Sequence, residues 1–100
     1  MMKGDLRMLV LHTVHKHQPV NGYRLRAYLE PLFGTIPSTG TIYPLLNDLL
    51  REKKLYATEQ GKSKEYQITL MGQAHLVHLI EELKKEINHK KAVLRKLEND

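Results

Sequence analysis

The chain has no cysteine and no tryptophan, one phenylalanine, six glycines and four prolines in 100 residues. Without cysteine there is no disulfide framework and no thiolate nucleophile, which fits a reducing cytoplasm, so a cytoplasmic protein is expected. Long apolar runs are missing too. The longest near the N-terminus is Met8 to Leu11, too short for a signal-peptide core or a membrane span. With 41% hydrophobic and 27% charged residues, and so few glycines and prolines, disorder is not the default reading. One soluble domain with one appended element fits the length. No nucleophile motif, paired catalytic carboxylates or phosphate-cradling glycine loop occurs, so neither an enzyme nor a cofactor is expected.

What is present is positive charge. Sixteen Lys/Arg stand against eleven Asp/Glu, a formal +5 with a pI of about 9.5, which favours polyanionic partners. The bias is uneven: residues 1–70 hold ten basic against six acidic side chains, residues 71–100 six against five.

The most informative stretch is STGTIYPLLNDLL, Ser38 to Leu50. Ile42, Leu45, Leu46 and Leu49 recur at the spacing that lines one side of an α-helix and must face a core. The opposite side carries Gly40, Pro44, Asn47 and Arg51, with Tyr43 on one flank and Thr41 and Asp48 nearer the other edge. Ser38 or Thr39 can cap the start by accepting free backbone N–H groups. Pro44 lies beyond the first turn, where it deletes a ladder bond at a cost of about 3 kcal/mol in a helix interior.

Two helices precede it. Asp5 to His17 places Leu6, Leu9, Val10, Thr13 and Val14 at helical spacing, with Asp5 as N-cap and Pro19 beyond the end. Asn21 can cap a second helix from Gly22 to about Leu32, with Leu25, Tyr28, Leu29 and Leu32 inward, Arg24 and Arg26 outward, and Pro31 ending or bending it. Three short helices, the last presenting polar atoms, follow helix-turn-helix logic. Leu55 to Glu59 and Lys64 to Ile68 then read as a β-hairpin with a basic tip, Tyr66 and Ile68 sharing the inner face. The expected fold is mainly α with a small β-hairpin: a winged helix-turn-helix domain over residues 1–70 and a long helix over 71–100.

That last helix, capped by Thr69, carries Leu76, Ile80, Leu83, Ile87, Leu94 and Leu97 at alternating spacings of four and three, with Lys90 in the one flawed slot. This is a heptad seam, so self-association is expected. Histidines at 15 and 17, and at 75 and 78, invite a metal reading. With no cysteine in either cluster, they read instead as His12, His15, His75 and His78 meeting where the first helix packs on the last, and no metal site is expected.

Four stretches, KGDLRMLVLHTV, NGYRLRAYL, STGTIYPLLNDLL and KSKEYQITLMG, resemble the PadR-type transcriptional regulators, specifically the shorter branch with a single C-terminal helix. The resemblance implies a repressor-like transcription factor that usually answers to a small molecule. It also implies a homodimer joined through helix one and the last helix, which assigns Leu6, Leu9, Val10, Leu76, Ile80, Leu83, Ile87, Leu94 and Leu97 to the dimer interface. The chain departs from the branch in its short hairpin turn and in lacking the tryptophan on which some members stack flat ligands.

For double-stranded DNA, the expected contacts are Thr39, Thr41, Tyr43, Pro44, Asn47 and Arg51 on the third helix, where Asn and Arg can read base edges. Tyr23, Arg24, Lys62 and Lys64 would neutralise or hold phosphates. A two-fold dimer would favour an inverted repeat. The alternative is a winged helix that docks a protein partner without specific DNA binding, against which the basic balance speaks.

Overall fold

The computed structural model describes residues 3–100, with side chains described from Asp5 onward. Its elements are α1 (Lys3–His17), β1 (Val20–Asn21), α2 (Gly22–Phe33), α3 (Thr39–Arg51), β2 (Leu55–Gln60), β3 (Ser63–Ile68) and α4 (Leu70–Asn99). This is the expected mainly helical winged helix with a long last helix, plus one strand. β1 pairs antiparallel with β3, Val20 opposite Tyr66 and Asn21 opposite Glu65, giving a sheet of order β1-β3-β2. A strand of two residues has no alternation to read, so periodicity could not reveal it. β2 and β3 each run one residue further toward the tip than expected, leaving a connection of Gly61 and Lys62. Gly61 takes φ 62°, the left-handed conformation that two-residue hairpin loops demand.

Several local expectations are corrected. α1 begins at Lys3, so Asp5 is not its N-cap but an acidic residue of the first turn, where it complements the helix dipole. Pro31 does not end α2: the helix continues to Phe33 and stops at Gly34, whose φ of 96° suits only glycine comfortably. Ser38 is the N-cap of α3 by position, yet its hydroxyl meets that of Thr41 at 3.0 Å rather than a backbone N–H. Asn21 and Thr69 cap as expected, accepting from the amides of Arg24 and Gly72.

The core joins Leu6, Val10, Leu11 and Val14 of α1 with Leu25 and Leu29 of α2, Ile42, Leu46 and Leu49 of α3, and Val20, Leu55, Tyr66 and Ile68 of the sheet. Leu11 widens the buried side of α1 beyond the single stripe, because α2, β3 and α4 all pack on that helix. Leu32, expected inward, is exposed. Leu76 of α4 is buried in the same core, with Leu79 and Ile80 against it. The division expected after residue 70 therefore cuts through one packed unit.

α3, α1, β2 and α4 meet at residues 52–54. Lys53 sits in the left-handed region at φ 59°, and its amide and that of Lys54 return to the carbonyls of Leu50 and Leu49 at 3.0 and 2.9 Å. This is the Schellman end of a helix, with lysine where glycine is usual. The exposed carbonyls then hold α4: Thr69 donates its amide to Lys54 O at 3.1 Å and its hydroxyl to Lys53 O at 2.7 Å. Gly72 packs so closely that a Cβ there would lie 2.0 Å from Lys54 O. Glu52 receives both guanidinium nitrogens of Arg7 from α1, at 2.8 and 3.0 Å, and Lys54 Nζ at 2.8 Å.

The histidines do not meet as expected. His75 and His78 lie on α4 with ring centroids 6.4 Å apart, whereas His12 and His17 line the side of α1 that faces α2, His17 stacked on Tyr28 at 3.8 Å. Among the described residues, no three or more His, Cys, Asp or Glu side chains come together as a metal site.

Leu6 and Val10, expected at a dimer interface, are buried in the chain's own core at 3% and 0% exposure, Leu6 beside a cavity between α1 and α3. Leu76 is nearly as buried, while Leu9, Ile80 and Leu83 are half-buried. Ile87, Leu94 and Leu97 are exposed along the distal part of α4, where Lys90, the flaw in the seam, pairs with Glu86 at 2.9 Å. Among the described residues no helix is long and apolar enough to cross a membrane.

The junction has a pH signature. Hydrogen bonds from Arg7 and Lys54 lower the Glu52 carboxyl from 4.5 to about 2. Burial, then the nearby Lys54, Arg7 and His78 charges, push the His75 imidazole below 6.5 against the pull of Glu52. Its Nε2 is buried with no partner among the described residues. Both folded values are depressed, so both groups stabilise the fold above their unfolded values and lose that contribution as pH falls. Thermal melts should therefore show stability declining below pH 6.5 through His75, then further from 4.5 toward 2 through Glu52. His75→Gln should flatten the first decline and Glu52→Gln the second; unchanged slopes would contradict the assignment.

Candidate nucleic-acid interface

α3 owes its position to its apolar stripe: Ile42, Leu46 and Leu49 are fully buried and Leu45 half-buried. The opposite side is left to solvent, with Thr39, Gly40, Thr41, Pro44, Asn47 and Arg51 all exposed. Pro44 cannot donate to the carbonyl of Gly40, but both residues lie on the outer side, where water can satisfy that carbonyl, and the helix continues through to Arg51. Arg51 is 71% exposed and paired with Asp48 one turn back. Such an exposed pair contributes little to stability, so a stronger anionic partner can take the guanidinium.

The two edges of α3 face different neighbours. Thr41, Pro44 and Asp48 look toward Leu6 and Arg7 of α1 across a half-open cavity of about 490 Å³. Tyr43 and Asn47 look toward the start of α2 and the hairpin, across a groove of about 400 Å³ that also takes in Asn21, Gly22, Tyr23, Lys62, Ser63, Lys64 and Tyr66. Sequence reasoning brought Tyr23, Tyr43, Asn47, Lys62 and Lys64 to the interface, and the fold gathers all five in this groove. Thr39, Thr41, Pro44 and Arg51 stand on the same presented helix. Arg24 is exposed on α2, its guanidinium bonded to Tyr28 Oη at 2.9 Å. Arg26, expected to be free, instead donates Nε to the carbonyl of Pro37 at 2.7 Å and ties down the loop before α3.

Two features escaped the sequence. Tyr43 does not project freely, because its ring lies over the first residue of α2: a Cβ at Gly22 would stand 2.6 Å from the phenol oxygen. Tyr66, read only as core, is 3% exposed but forms part of the groove wall, with Lys64 Nζ 5.9 Å from its ring centre. The Gly-Tyr pair at 22 and 23 was visible in sequence; its contact with Tyr43, twenty-one positions on, was not.

A model of the transcriptional regulator PadR-like family matches residues 10–78, from α1 into the first half of α4. The chain belongs to the PadR-like family. PadR-like membership makes it a transcription regulator rather than an enzyme. A PadR-like transcriptional regulator from Bacillus cereus strain ATCC 14579 superposes with a TM-score of 0.82 at 28% identity, over 94% of this chain and 95% of that one. A PadR family regulator from Eggerthella lenta DSM 2243 gives 0.77 at 27% identity, over 92% and 80%. Among curated proteins, the transcriptional activator GvpE of Haloferax mediterranei is 48% identical over 48 residues, 48% of this chain. The chain spans about a quarter of that relative's length, as the aligned part is 25% of it.

The Gly22 contact predicts a specific sensitivity. Gly22→Ala should displace the Tyr43 ring and cost about 1–3 kcal/mol of stability in urea unfolding, the range for a group forced into a packed site. Gly22→Ala combined with Tyr43→Ala should recover most of that loss; a wild-type-like Gly22→Ala protein would contradict the contact.

Proposed function

We propose that the chain is a sequence-specific DNA-binding regulator that works as a homodimer on an inverted-repeat operator and acts as a repressor. The observation that carries this reading is the continuity of one exposed surface, from the outer side of α3 across the groove to the lysines of the hairpin. In a major groove, Asn47 and Arg51 have the donors and acceptors to read base edges, while Thr39, Thr41 and Pro44 set the approach of the helix. Tyr23, Tyr43, Arg24, Lys62 and Lys64 hold the phosphate backbone.

The dimer follows from α4. Ile87, Leu94 and Leu97 form an exposed apolar seam that a second copy can cover, and two-fold pairing would turn one reading helix into two. Repression is the outcome of occupying a promoter, and it needs no surface beyond those already described. GvpE bears the name of an activator, so the sign is decided by a reporter under the chain's own upstream region. Ligand response belongs to the same reading through the cavity between α1 and α3, where an occupant would press directly on the reading helix.

Titration of duplex DNA from the gene's upstream region and of unrelated DNA, at two salt concentrations, tests the division of labour. Lys64→Ala should weaken both duplexes alike and lower the salt slope by about 0.9, whereas Asn47→Ala should cut the preference for the upstream duplex with the slope unchanged. Equal effects of the two substitutions would contradict this, and equal binding of the wild type to both duplexes would favour a protein-docking module instead.

A further inference from the structure

Tyr66 is a core side chain that also lines the presented groove. It is 3% exposed, it lies on the middle strand of the sheet, and it forms part of the groove between α2, α3 and the hairpin. Among the described residues its hydroxyl has no hydrogen-bond partner, and neither has that of Tyr43. The buried unpaired side-chain atoms among the described residues are Thr13 Oγ1 and His75 Nε2, so the Tyr66 hydroxyl keeps access to the groove and is free to donate there. Burial, with the nearby Tyr43 phenol adding to it, pushes the Tyr66 phenol up, so the hydroxyl stays protonated and able to donate.

Everything around that hydroxyl favours an anion. The start of α2 lines the groove at Gly22 and Tyr23; Gly22 is buried and the Arg24 amide is capped by Asn21, so what this end adds is the partial positive charge of a helix N-terminus. Tyr43, held over Gly22, adds a second hydroxyl. Lys62 and Lys64 close the hairpin side, Lys64 with its ammonium beside the Tyr66 ring. No carboxylate is among the groove residues.

We infer that this groove is a seat for one phosphodiester of the DNA backbone, with the Tyr66 hydroxyl as its floor, Tyr43 and the start of α2 as one wall, and Lys62 and Lys64 as the other. The inference rests on the DNA-binding reading and deepens it. The seat lies beside Asn47, so a phosphate held there would set the register of α3 in the groove before any base is read. It also gives the close fit at Gly22 a role: with no side chain there, the Tyr43 ring can lie flat on the start of α2 and hold its hydroxyl at the groove.

The test is a methylphosphonate scan of a duplex selected by the protein, replacing one backbone phosphate at a time with a neutral group, with wild type and Tyr66→Phe in parallel. One position in each half-site should cost the wild type more than about tenfold, because the Tyr66 hydrogen bond, itself about tenfold, is lost together with the contacts of Tyr43 and the two lysines. On the unmodified duplex Tyr66→Phe should bind about tenfold more weakly than wild type, and the same neutral position should cost it about tenfold less than it costs wild type, only the contacts of Tyr43 and the two lysines remaining to be lost. Its salt slope should match that of wild type, because no charge is removed, and its thermal midpoint should show that the core is intact. If wild type and Tyr66→Phe bind every duplex equally while Lys64→Ala weakens binding, the DNA-binding reading stands and the seat is wrong. Wild-type protein that is folded yet binds no selected duplex would overturn both. Inorganic phosphate alone, shifting the Tyr66 ring resonances as fully as the duplex does, would assign the groove to free phosphate and overturn the inference.

Discussion

The backbone from Glu52 to Lys54 is the point on which the geometry of the whole chain depends. There the reading helix ends, and there both α1 and α4 are fastened to it, α1 through the two-pronged Arg7 contact and α4 through Thr69 and the close approach of Gly72. A loop carrying the same residues loosely would leave the angle between α3 and α4 undefined. Here the left-handed Lys53 turns the chain within one residue and leaves its carbonyl and that of Lys54 as anchors for the next helix. In a dimer joined through α4, that angle would decide how far apart two reading helices stand.

The same economy governs the interface. α3 carries one apolar stripe and buries Ile42, Leu46 and Leu49 of it fully, which leaves its outer side to solvent, with Tyr43 laid over Gly22. Tyr43 and Gly22 lock the start of α2 to α3, and β1 locks that start to the hairpin through its pairing with β3. α3, α2 and the hairpin are therefore joined by direct contacts, so that a position taken up by the hairpin bears on the side chains of α3.

Much of this was legible in the chain itself. The Ile42-Leu46-Leu49 stripe, the Asn21 and Thr69 caps, the inward pair Tyr66 and Ile68, and the length of α4 all follow from periodicity and capping chemistry, which are local. What the sequence hid depends on distance along the chain. β1 exists only because β3 lies beside it, Leu11 is buried only because several elements crowd α1, and Arg26 is tied down by a carbonyl eleven positions away. Leu6 and Val10 were assigned to a partner on the family resemblance, and the stripe they belong to says that a side is covered without saying by what; in the single chain the core covers them. Tyr66 is inward as its alternation implies, but alternation could not show that it also lines the groove beside α3.

The central claim is that two copies of this chain present two α3 helices to one side of a duplex. Hydroxyl-radical footprinting on a selected duplex tests it most directly. The account predicts two symmetric patches of backbone protection, centred one or two helical turns apart, about 10–21 base pairs, and lying on the same side of the DNA. A single patch, protection on opposite sides, or protection without sequence register would contradict it.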